Sequence, residues 1–320
     1  MTAPHPRVSV VVATHRLTPY LAQALASVGA QTFRDWEVVV VGDGVPDPAA
    51  VDAVARATLG SAARTLHVPA RGVSVARNAG TAAARGELVA FLDDDDVWHP
   101  ERLARQVAAL DADPTASACS CDGWVIGPDS ERLPEPWPVT RGSRLDLLSG
   151  RVDIPRIVTL LFRRAELLAI GGFHPSFRIG EDNELILRAV LLGRLTAVPD
   201  ALVGYRRHAG SVTAAVGAQD DPGERLIRLT LDGAEAAGDA EAAAALAQNL
   251  RGFRARSAAS LAGTARHEAR HRSWAAAIRA GAAAVRRDPA TGLLTLLLEP
   301  PAPVPPAPAP APTSPPRSTP

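Results

Sequence analysis

The chain contains no lysine, and 34 arginines supply its positive charge at pH 7. An equal number of Asp and Glu residues balances them, so the formal net charge at pH 7 is zero. A protein without a global excess of positive charge has no general attraction to nucleic acid or to an anionic membrane. The composition therefore predicts no nucleic-acid partner.

Cysteine and long apolar runs are also scarce. The two cysteines, Cys119 and Cys121, are separated by one residue, so a disulfide between them would be strained. The absence of a disulfide framework fits a reducing compartment. The run Val8–Val12 is too short for a signal peptide, and Leu293–Leu298 is too short to span a bilayer. We expect a cytoplasmic protein without a transmembrane segment; peripheral attachment to a membrane through Leu293–Leu298 stays open.

The first half of the chain alternates short apolar runs with helical stretches. The predicted strands are Val8–Val12, Trp36–Val41, Thr65–Val68 and Leu88–Leu92. Apolar runs without polar alternation are typical of parallel strands that are covered on both faces. The pattern predicts an α/β fold with a Rossmann-like, mainly parallel sheet.

The second half predicts a further strand at Pro155–Arg163, a helix at Asn183–Gly193 and a strand at Leu195–Val198. The composition then becomes rich in Ala and Arg and ends in a run of Pro and Ala. We predict an α/β domain at 1–218, a C-terminal α-helical appendage at 219–299 and a disordered tail at 300–320.

Four consecutive carboxylates, Asp93 to Asp96, follow the predicted strand Leu88–Leu92. Adjacent carboxylates repel one another at neutral pH, so an opposite charge is expected near them. In an extended backbone Asp93 and Asp95 point to the same side. Divalent cations such as Mg²⁺ prefer oxygen ligands, and open α/β sheets bind ligands beyond the carboxyl ends of their strands. The alternative is a solvated acidic loop, in which Asp96 caps the helix predicted from Pro100.

Other polar side chains are predicted to lie at the same edge of the sheet. Asp43 ends the second strand and is placed to accept a hydrogen bond from a nucleobase, or merely to form a turn. Thr14, His15 and Arg16 follow the first strand. Arg77 lies in the third crossover, where it would pair with a phosphate or stay on a solvated helix face.

Two further motifs lie later in the chain. Glu181 and Asp182 precede a predicted helix, where a carboxylate serves either as a helix cap or as a general base in a cleft. The sequence Tyr205-Arg206-Arg207-His208 follows the strand predicted at Leu195–Val198.

Taken in order, these segments resemble family 2 glycosyltransferases over about the first 210 residues. The quoted segments are Val8–Arg16, Gln31–Glu37, Gly72–Gly80, Phe91–Asp96 with Trp98 and Pro100, Gly171–Phe173 with Glu181-Asp182, and Tyr205–His208. Two positions depart from the family pattern: Gly42 stands where a second Asp is common, and His15 where Tyr is common.

The resemblance implies a GT-A fold and an inverting transfer from a nucleotide-diphosphate sugar, in this family usually a UDP-sugar. Asp93 and Asp95 would hold Mg²⁺ or Mn²⁺, with His208 as a further ligand. Asp182 would be the catalytic base, with Glu181 in support. The donor would be bound by Thr14, His15, Arg16, Asp43, Arg77 and Asp94. The acceptor would be a sugar, a lipid-linked glycan or a small molecule.

Two alternatives stay open. A sugar nucleotidyltransferase has a similar sheet, but Ala13–Arg16 lacks the glycine-rich loop that such enzymes place after the first strand. The stretch His267-Glu268-Ala269-Arg270-His271 matches a zinc-binding pattern on a helix. Its surrounding arginines disfavour a cation, which makes a chance match on a solvated helix the better interpretation.

Overall fold

A computed structural model describes residues 5–137, 141–177, 179–210, 222–270 and 273–298. The chain divides into two compact units, Met1–Phe253 and Arg254–Pro320. The first unit contains one eight-stranded sheet, whose strands lie in the order Ala63–Val68, Trp36–Asp43, Val8–Thr14, Leu88–Asp93, Leu161–Arg163, Ala118–Ile126, Leu195–Arg206 and Val97–Trp98.

The first four strands form the parallel half of the sheet, as the sequence predicts. They are β1 (Val8–Thr14), β2 (Trp36–Asp43), β3 (Ala63–Val68) and β4 (Leu88–Asp93). Nearly every residue of the two central strands, β1 and β4, is buried, so both faces of this half are covered. The predicted mainly parallel α/β sheet is confirmed.

The helices of this unit connect the strands and cover the sheet. They are α1 (Leu21–Gly29), α2 (Pro48–Leu59), α3 (Val73–Ala83), α4 (Arg102–Ala112), α5 (Arg144–Ser149), α6 (Arg164–Ala169) and α7 (Glu181–Leu192). Asp47 caps α2, since its carboxylate accepts the Ala50 backbone N–H at 3.0 Å.

The other half of the sheet mixes parallel and antiparallel pairs. Its strands are β5 (Val97–Trp98), β6 (Ala118–Ile126), β7 (Leu161–Arg163) and β8 (Leu195–Arg206). The strand predicted at Pro155–Arg163 is therefore mostly wrong. Only its last three residues pair, because Ile157–Thr159 form a turn of 3-10 helix.

Strand β8 is much longer than the predicted Leu195–Val198. Its pairing with β6 skips Pro199 and Asp200, since Cys121 opposes Val198 and Asp122 opposes Ala201. Proline has no N–H to donate to a ladder, and a bulge lets the strand continue past it. The continuation carries Arg206 to the carboxyl edge of the sheet.

The predicted helical region from 219 consists of α8 (Gly223–Ala236), α9 (Ala240–Arg270), α10 (Trp274–Arg287) and α11 (Pro289–Leu298). Residues of α8 and of the first part of α9, among them Leu226, Leu246 and Leu250, are buried in the core of the first unit. The compact units therefore divide within α9 rather than at 218; residues 299–320 lie outside the described part. Among the described residues, no helix is sufficiently long and apolar to cross a membrane.

Candidate active site

The carboxyl ends of three parallel strands meet at one edge of the sheet. Thr14 of β1 lies opposite Gly42 of β2, and Ala13 lies opposite Asp93 of β4. This register places Thr14, Asp43 and the acidic segment Asp93–Asp96 at the same edge. It is the edge at which open α/β sheets bind ligands.

The acidic segment forms a tight turn that gathers three of its four carboxylates. The Asp96 backbone N–H bonds to the Asp93 carbonyl oxygen at 3.2 Å. One carboxylate oxygen from each of Asp93, Asp95 and Asp96 lies within 4.8 Å of the others. Because β4 ends at Asp93, the turn brings Asp96 into this group, an addition that extended geometry does not predict.

Asp96 is completely buried, and only one of its two carboxylate oxygens has a hydrogen-bond partner among the described residues. Oδ1 accepts the Arg206 backbone N–H at 2.8 Å, whereas Oδ2 has no partner among the described residues. Burial and the neighbouring Asp93 and Asp95 raise the pKa of Asp96 well above its ordinary value. The helix-cap alternative for Asp96 is wrong, because α4 begins at Arg102.

Asp95 pairs with the imidazole of His208. His208 Nε2 lies 3.0 Å from Asp95 Oδ2, and the His208 ring lies 5.2 Å from the ring of Tyr20. Burial and repulsion by Asp93 raise the pKa of Asp95 despite this contact. The predicted pair Asp95 and His208 is thus brought together in the structure.

This acid group fits a divalent cation. Its carboxylates repel one another, and the buried Oδ2 of Asp96 has an empty hydrogen-bonding position. Hard cations such as Mg²⁺ and Mn²⁺ take oxygen ligands of this kind, and a bound cation would relieve the repulsion. Asp93, Asp95 and Asp96 would hold it.

Arg77 connects this acid group to the start of α7. Its buried guanidinium donates to Asp93 Oδ1 at 2.7 Å and to Glu181 Oε1 at 3.0 Å. Burial by itself would lower the pKa of Arg77, but the surrounding carboxylates outweigh it and raise the pKa. Arg77, which the sequence predicts to contact a phosphate, therefore already has two carboxylate partners.

Glu181 and Asp182 lie in the first turn of α7. Gly180 enters the helix with a φ of +74°, in the left-handed region that favours glycine. Glu181 is buried against Arg77, and burial together with the charge of Asp182 raises its pKa. Asp182 is half-buried, and its Oδ1 accepts the Asn183 backbone N–H at 2.8 Å. The two carboxylates therefore have different surroundings.

The residues after β1 divide into a buried and an exposed part. The buried hydroxyl of Thr14 lies 2.7 Å from the Arg16 carbonyl oxygen and also bonds to the Asp94 carboxyl group. Burial raises the pKa of Asp94 to about 7, and repulsion from neighbouring aspartates adds to the effect. His15 and Arg16 are exposed, and Arg16 donates to the Gly210 carbonyl oxygen at 3.1 Å.

Asp43 organises the loop that leads into α3. Its two carboxylate oxygens accept the backbone N–H groups of Arg71 at 2.8 Å and Gly72 at 2.9 Å. A carboxylate has about four lone-pair positions, so Asp43 retains acceptor capacity for a further donor. The structure therefore shows Asp43 bonded to a loop distant in the sequence rather than to a turn of its own, and its role in binding a nucleobase stays a prediction.

Arg206 is a residue of the site whose role sequence reasoning missed. It is almost fully buried; its Nε donates to the Asp95 carbonyl oxygen at 2.6 Å, and its guanidinium lies 4.4 Å from the Tyr20 ring centre. Further bonds join it to Gln23 and to the segment around Ser130. The only signal in the sequence was its position in Tyr205-Arg206-Arg207-His208.

The zinc-binding alternative lies elsewhere in the chain. His267 and Glu268 are on α9, which ends at Arg270. His271 lies outside the described residues, so the proposed histidine pair stays a prediction. Among the described residues, Asp93, Asp95 and Asp96 form the one group of three potential ligands close enough to hold a metal ion.

With the site described, comparisons with known proteins identify the family. Residues 9–169 match the sequence pattern of Glycosyl transferase family 2, which is about half of the chain. The chain belongs to this family and is a glycosyltransferase. It is 29% identical over 238 residues to an uncharacterized glycosyltransferase of Nostoc sp., covering 70% of this chain and 73% of the relative.

Solved structures show the same fold. S. aureus TarS 1-349 in complex with UDP-GlcNAc superposes with a TM-score of 0.61 at 20% identity, covering 88% of this chain and 92% of that one. The mannosyltransferase PcManGT from Pyrobaculum calidifontis, in complex with GDP-Man and Mn²⁺, gives a TM-score of 0.57 at 22% identity, covering 91% and 79%. The predicted GT-A fold is confirmed.

Proposed function

We propose that this protein is an inverting, metal-dependent glycosyltransferase that moves a sugar from a nucleotide diphosphate to an acceptor hydroxyl. The observation that carries the proposal is the group Asp93, Asp95 and Asp96, with its unpartnered buried oxygen, at the carboxyl edge of the parallel strands. Arg77 joins this group to Glu181, beside Asp182.

Asp93, Asp95 and Asp96 would bind Mg²⁺ or Mn²⁺, and His208 would orient Asp95. When bound, such an ion acts as a Lewis acid toward a diphosphate. The manganese bound to PcManGT, which has the same fold, supports this part of the proposal. The negative charge that builds on the leaving diphosphate explains why a glycosyltransferase gains from a cation at this edge.

Asp182 is the better of the two candidate bases. Glu181 is buried and paired with Arg77, whereas Asp182 is half-buried and has no ion pair within hydrogen-bonding distance among the described residues. Asp182 would accept the acceptor's hydroxyl proton while that oxygen bonds to the anomeric carbon. The bond from this carbon to the diphosphate oxygen breaks on the opposite face, and a single displacement inverts the centre.

The donor would lie along the ends of β1, β2 and β4. Asp43 would accept an N–H from the base, and Thr14, His15, Arg16 and Asp94 would line the path to the diphosphate. The UDP-GlcNAc bound to TarS supports a UDP-sugar as the donor. The acceptor would be a sugar, a lipid-linked glycan or a small molecule.

The test is a panel of UDP-, GDP- and TDP-sugars with and without Mn²⁺. The proposal expects one or more donors to bind and to be hydrolysed slowly only when Mn²⁺ is present. Proton NMR of the transferred sugar would show the inverted anomer. Binding that is unchanged by a chelator, or a product with retained configuration, would refute the metal requirement or the single displacement respectively.

A further inference from the structure

The C-terminal helices carry a concentrated positive charge in a chain that is neutral overall. Residues 254–298 contain eight arginines but only two acidic residues, Glu268 and Asp288, a formal charge of +6. Residues 1–253 contain 25 arginines and 31 acidic residues, a formal charge of −6. The exclusive use of arginine does not create this asymmetry, because it would be the same with lysine.

Helix α10 has one buried and one exposed face. Ala277, Ala280 and Ala284 are buried, and Ala284 lies in a small core with Leu261 of α9. On the opposite face Ile278 is 70% exposed, and Arg279 and Arg286 beside it are exposed as well. The three buried alanines share a face because residues three, four and seven apart lie on one side of a helix. Arg279 and Arg286, which are seven apart, share another side, and Ile278 is next to Arg279 in the chain.

Helix α11 adds two more exposed apolar side chains. Leu293 and Leu294 are 52% and 57% exposed, in the apolar run that ends at Leu298. The helix packs closely against α10, since a Cβ on Gly292 would lie 2.6 Å from the Ala284 backbone. Small residues make this contact and Leu296 packs against the small core, whereas Ile278, Leu293 and Leu294 face outward.

An exposed leucine alone is ordinary. Here three large aliphatic side chains are exposed on two short helices that pack together, within a segment of net charge +6. Helices that rest on a membrane surface combine these two features: apolar side chains enter the acyl boundary, and arginines meet anionic headgroups. A neutral partner would explain the apolar side chains but not the accumulated charge. A second copy of this chain, whose residues 1–253 carry the opposite charge, is the competing occupant that the test below distinguishes.

We propose that α10 and α11 form a docking surface for an anionic lipid membrane, with Ile278, Leu293 and Leu294 as the inserting side chains and Arg279 and Arg286 as headgroup contacts. The surface attaches the enzyme reversibly. This inference does not depend on the proposed reaction or on the metal.

The test is co-sedimentation of the full chain with vesicles of phosphatidylcholine alone or with 30% phosphatidylglycerol. Binding to the anionic vesicles is expected to exceed binding to the neutral ones by about tenfold or more, and to weaken in 0.5 M NaCl through screening. The triple variant Ile278→Ser/Leu293→Ser/Leu294→Ser should lose about tenfold in binding, and Arg279→Gln/Arg286→Gln should weaken it further by a smaller factor.

The matched control is Leu168→Ser/Leu192→Ser/Leu229→Ser, which removes three exposed leucines of the first unit. It should bind vesicles as the wild type does, and circular dichroism should show both triple variants folded. Equal binding to neutral and anionic vesicles, or unchanged binding of the α10–α11 variant, would overturn the proposal. So would an absence of vesicle binding together with a wild-type dimer that the α10–α11 variant converts to a monomer.

Discussion

Glu37 and the group Asp93, Asp95 and Asp96 lie at opposite ends of the parallel strands. They differ in whether hydrogen bonds outweigh the effect of burial on the pKa of the carboxylates. Glu37, near the start of β2, accepts hydrogen bonds from Ser9 at 2.7 Å and from the Arg85 side chain at 2.7 and 2.9 Å, with Arg64 alongside. Burial raises the pKa of Glu37, but these bonds outweigh it and hold the pKa below its ordinary value.

At the carboxyl ends of the strands, burial and mutual repulsion outweigh the hydrogen bonds of Asp95 and Asp96. The carboxylates of Asp95 and Asp96 share one buried space with Asp93, and their pKa values are raised. The basic side chains nearby compensate only in part: Arg206 directs its guanidinium to carbonyl and side-chain oxygens, and Arg77 bonds only Asp93 of the three. The contact of His208 with Asp95 does not prevent the raised pKa of that carboxyl group. Hydrogen bonds thus outweigh burial at the carboxylate that serves the fold but not at Asp95 and Asp96, and Oδ2 of Asp96 has no partner among the described residues.

The largest effect is expected from Asp95→Ala, which tests whether the acidic group at the carboxyl ends of the strands binds a cation. We expect Mn²⁺-dependent binding of the nucleotide sugar to fall below detection in calorimetry, because one ligand and the His208 contact are lost. Glu87→Ala is the matched control, since Glu87 precedes the other end of the same strand and is exposed. Unchanged donor affinity in Asp95→Ala would remove the metal role from this residue.

The next largest effect is expected from Asp182→Asn, which keeps the shape and removes the proton acceptor. General base catalysis is worth about 10²–10⁴ in rate, so kcat should fall by that factor with donor binding nearly intact. Glu181→Gln should lower kcat less. Normal turnover in Asp182→Asn with an inactive Glu181→Gln would reverse the two roles, and normal turnover in both would place the base elsewhere.

Arg77→Lys tests the connection between the two parts of the site. Lysine keeps the charge but cannot bond two carboxylates through a planar fork. A hydrogen bond between charged groups is worth about 1.5–3 kcal/mol, so we expect kcat to fall by roughly ten- to a hundredfold. The KM for the donor should change little, because the partners of Arg77 are protein carboxylates. A rise in KM with unchanged kcat would favour the phosphate contact predicted from sequence.

Arg85→Lys is the matched control for that variant, since Arg85 likewise bonds a buried carboxylate but at the opposite end of the sheet. It should reduce thermal stability slightly and leave kcat unchanged. A similar loss of kcat in both variants would show that the effect of Arg77→Lys is general destabilisation.

The smallest effect concerns Glu37→Gln. Replacing a hydrogen-bonded buried carboxylate should lower the free energy of unfolding by about 1–3 kcal/mol at pH 7. The folded-state pKa of Glu37 is lowered, so its stabilisation is complete above the unfolded pKa and is lost as the pH falls through the folded value. Urea unfolding at pH 7 and below pH 4 should therefore show a difference between variant and wild type that shrinks with acidity. A constant difference would contradict this.

The parallel half of the fold could be predicted from the sequence because each of its strands is marked by a local run of apolar residues. The runs at Val8–Val12, Trp36–Val41 and Leu88–Leu92 are apolar without alternation, and each forms a buried strand at about the predicted bounds. The family resemblance, confirmed by the comparisons, rested on short motifs in a fixed order. The roles that it assigned to individual residues stay predictions.

The sequence did not predict the full acid group, because tertiary contacts define it. Asp96 joins through a turn after β4, and it is buried because β8 continues past Pro199 and places Arg206 above it. A proline inside a short apolar run predicts the end of a strand. The strand predicted at Leu195–Val198 therefore ended too early, whereas β8 continues to Arg206. Nor did the sequence show that Arg77 is enclosed by Asp93 and Glu181, residues that α3, β4 and α7 bring together.

The central claim is that the carboxylates of Asp93, Asp95 and Asp96 form a divalent-cation site. A Mn²⁺ titration followed by electron paramagnetic resonance tests it most directly. The account predicts one bound Mn²⁺ per wild-type chain, bound more tightly when UDP is present, retained in Glu37→Gln and lost in Asp96→Asn as well as in Asp95→Ala. Equal Mn²⁺ binding by wild type and Asp96→Asn, or no bound Mn²⁺ in the wild type with UDP, would contradict it.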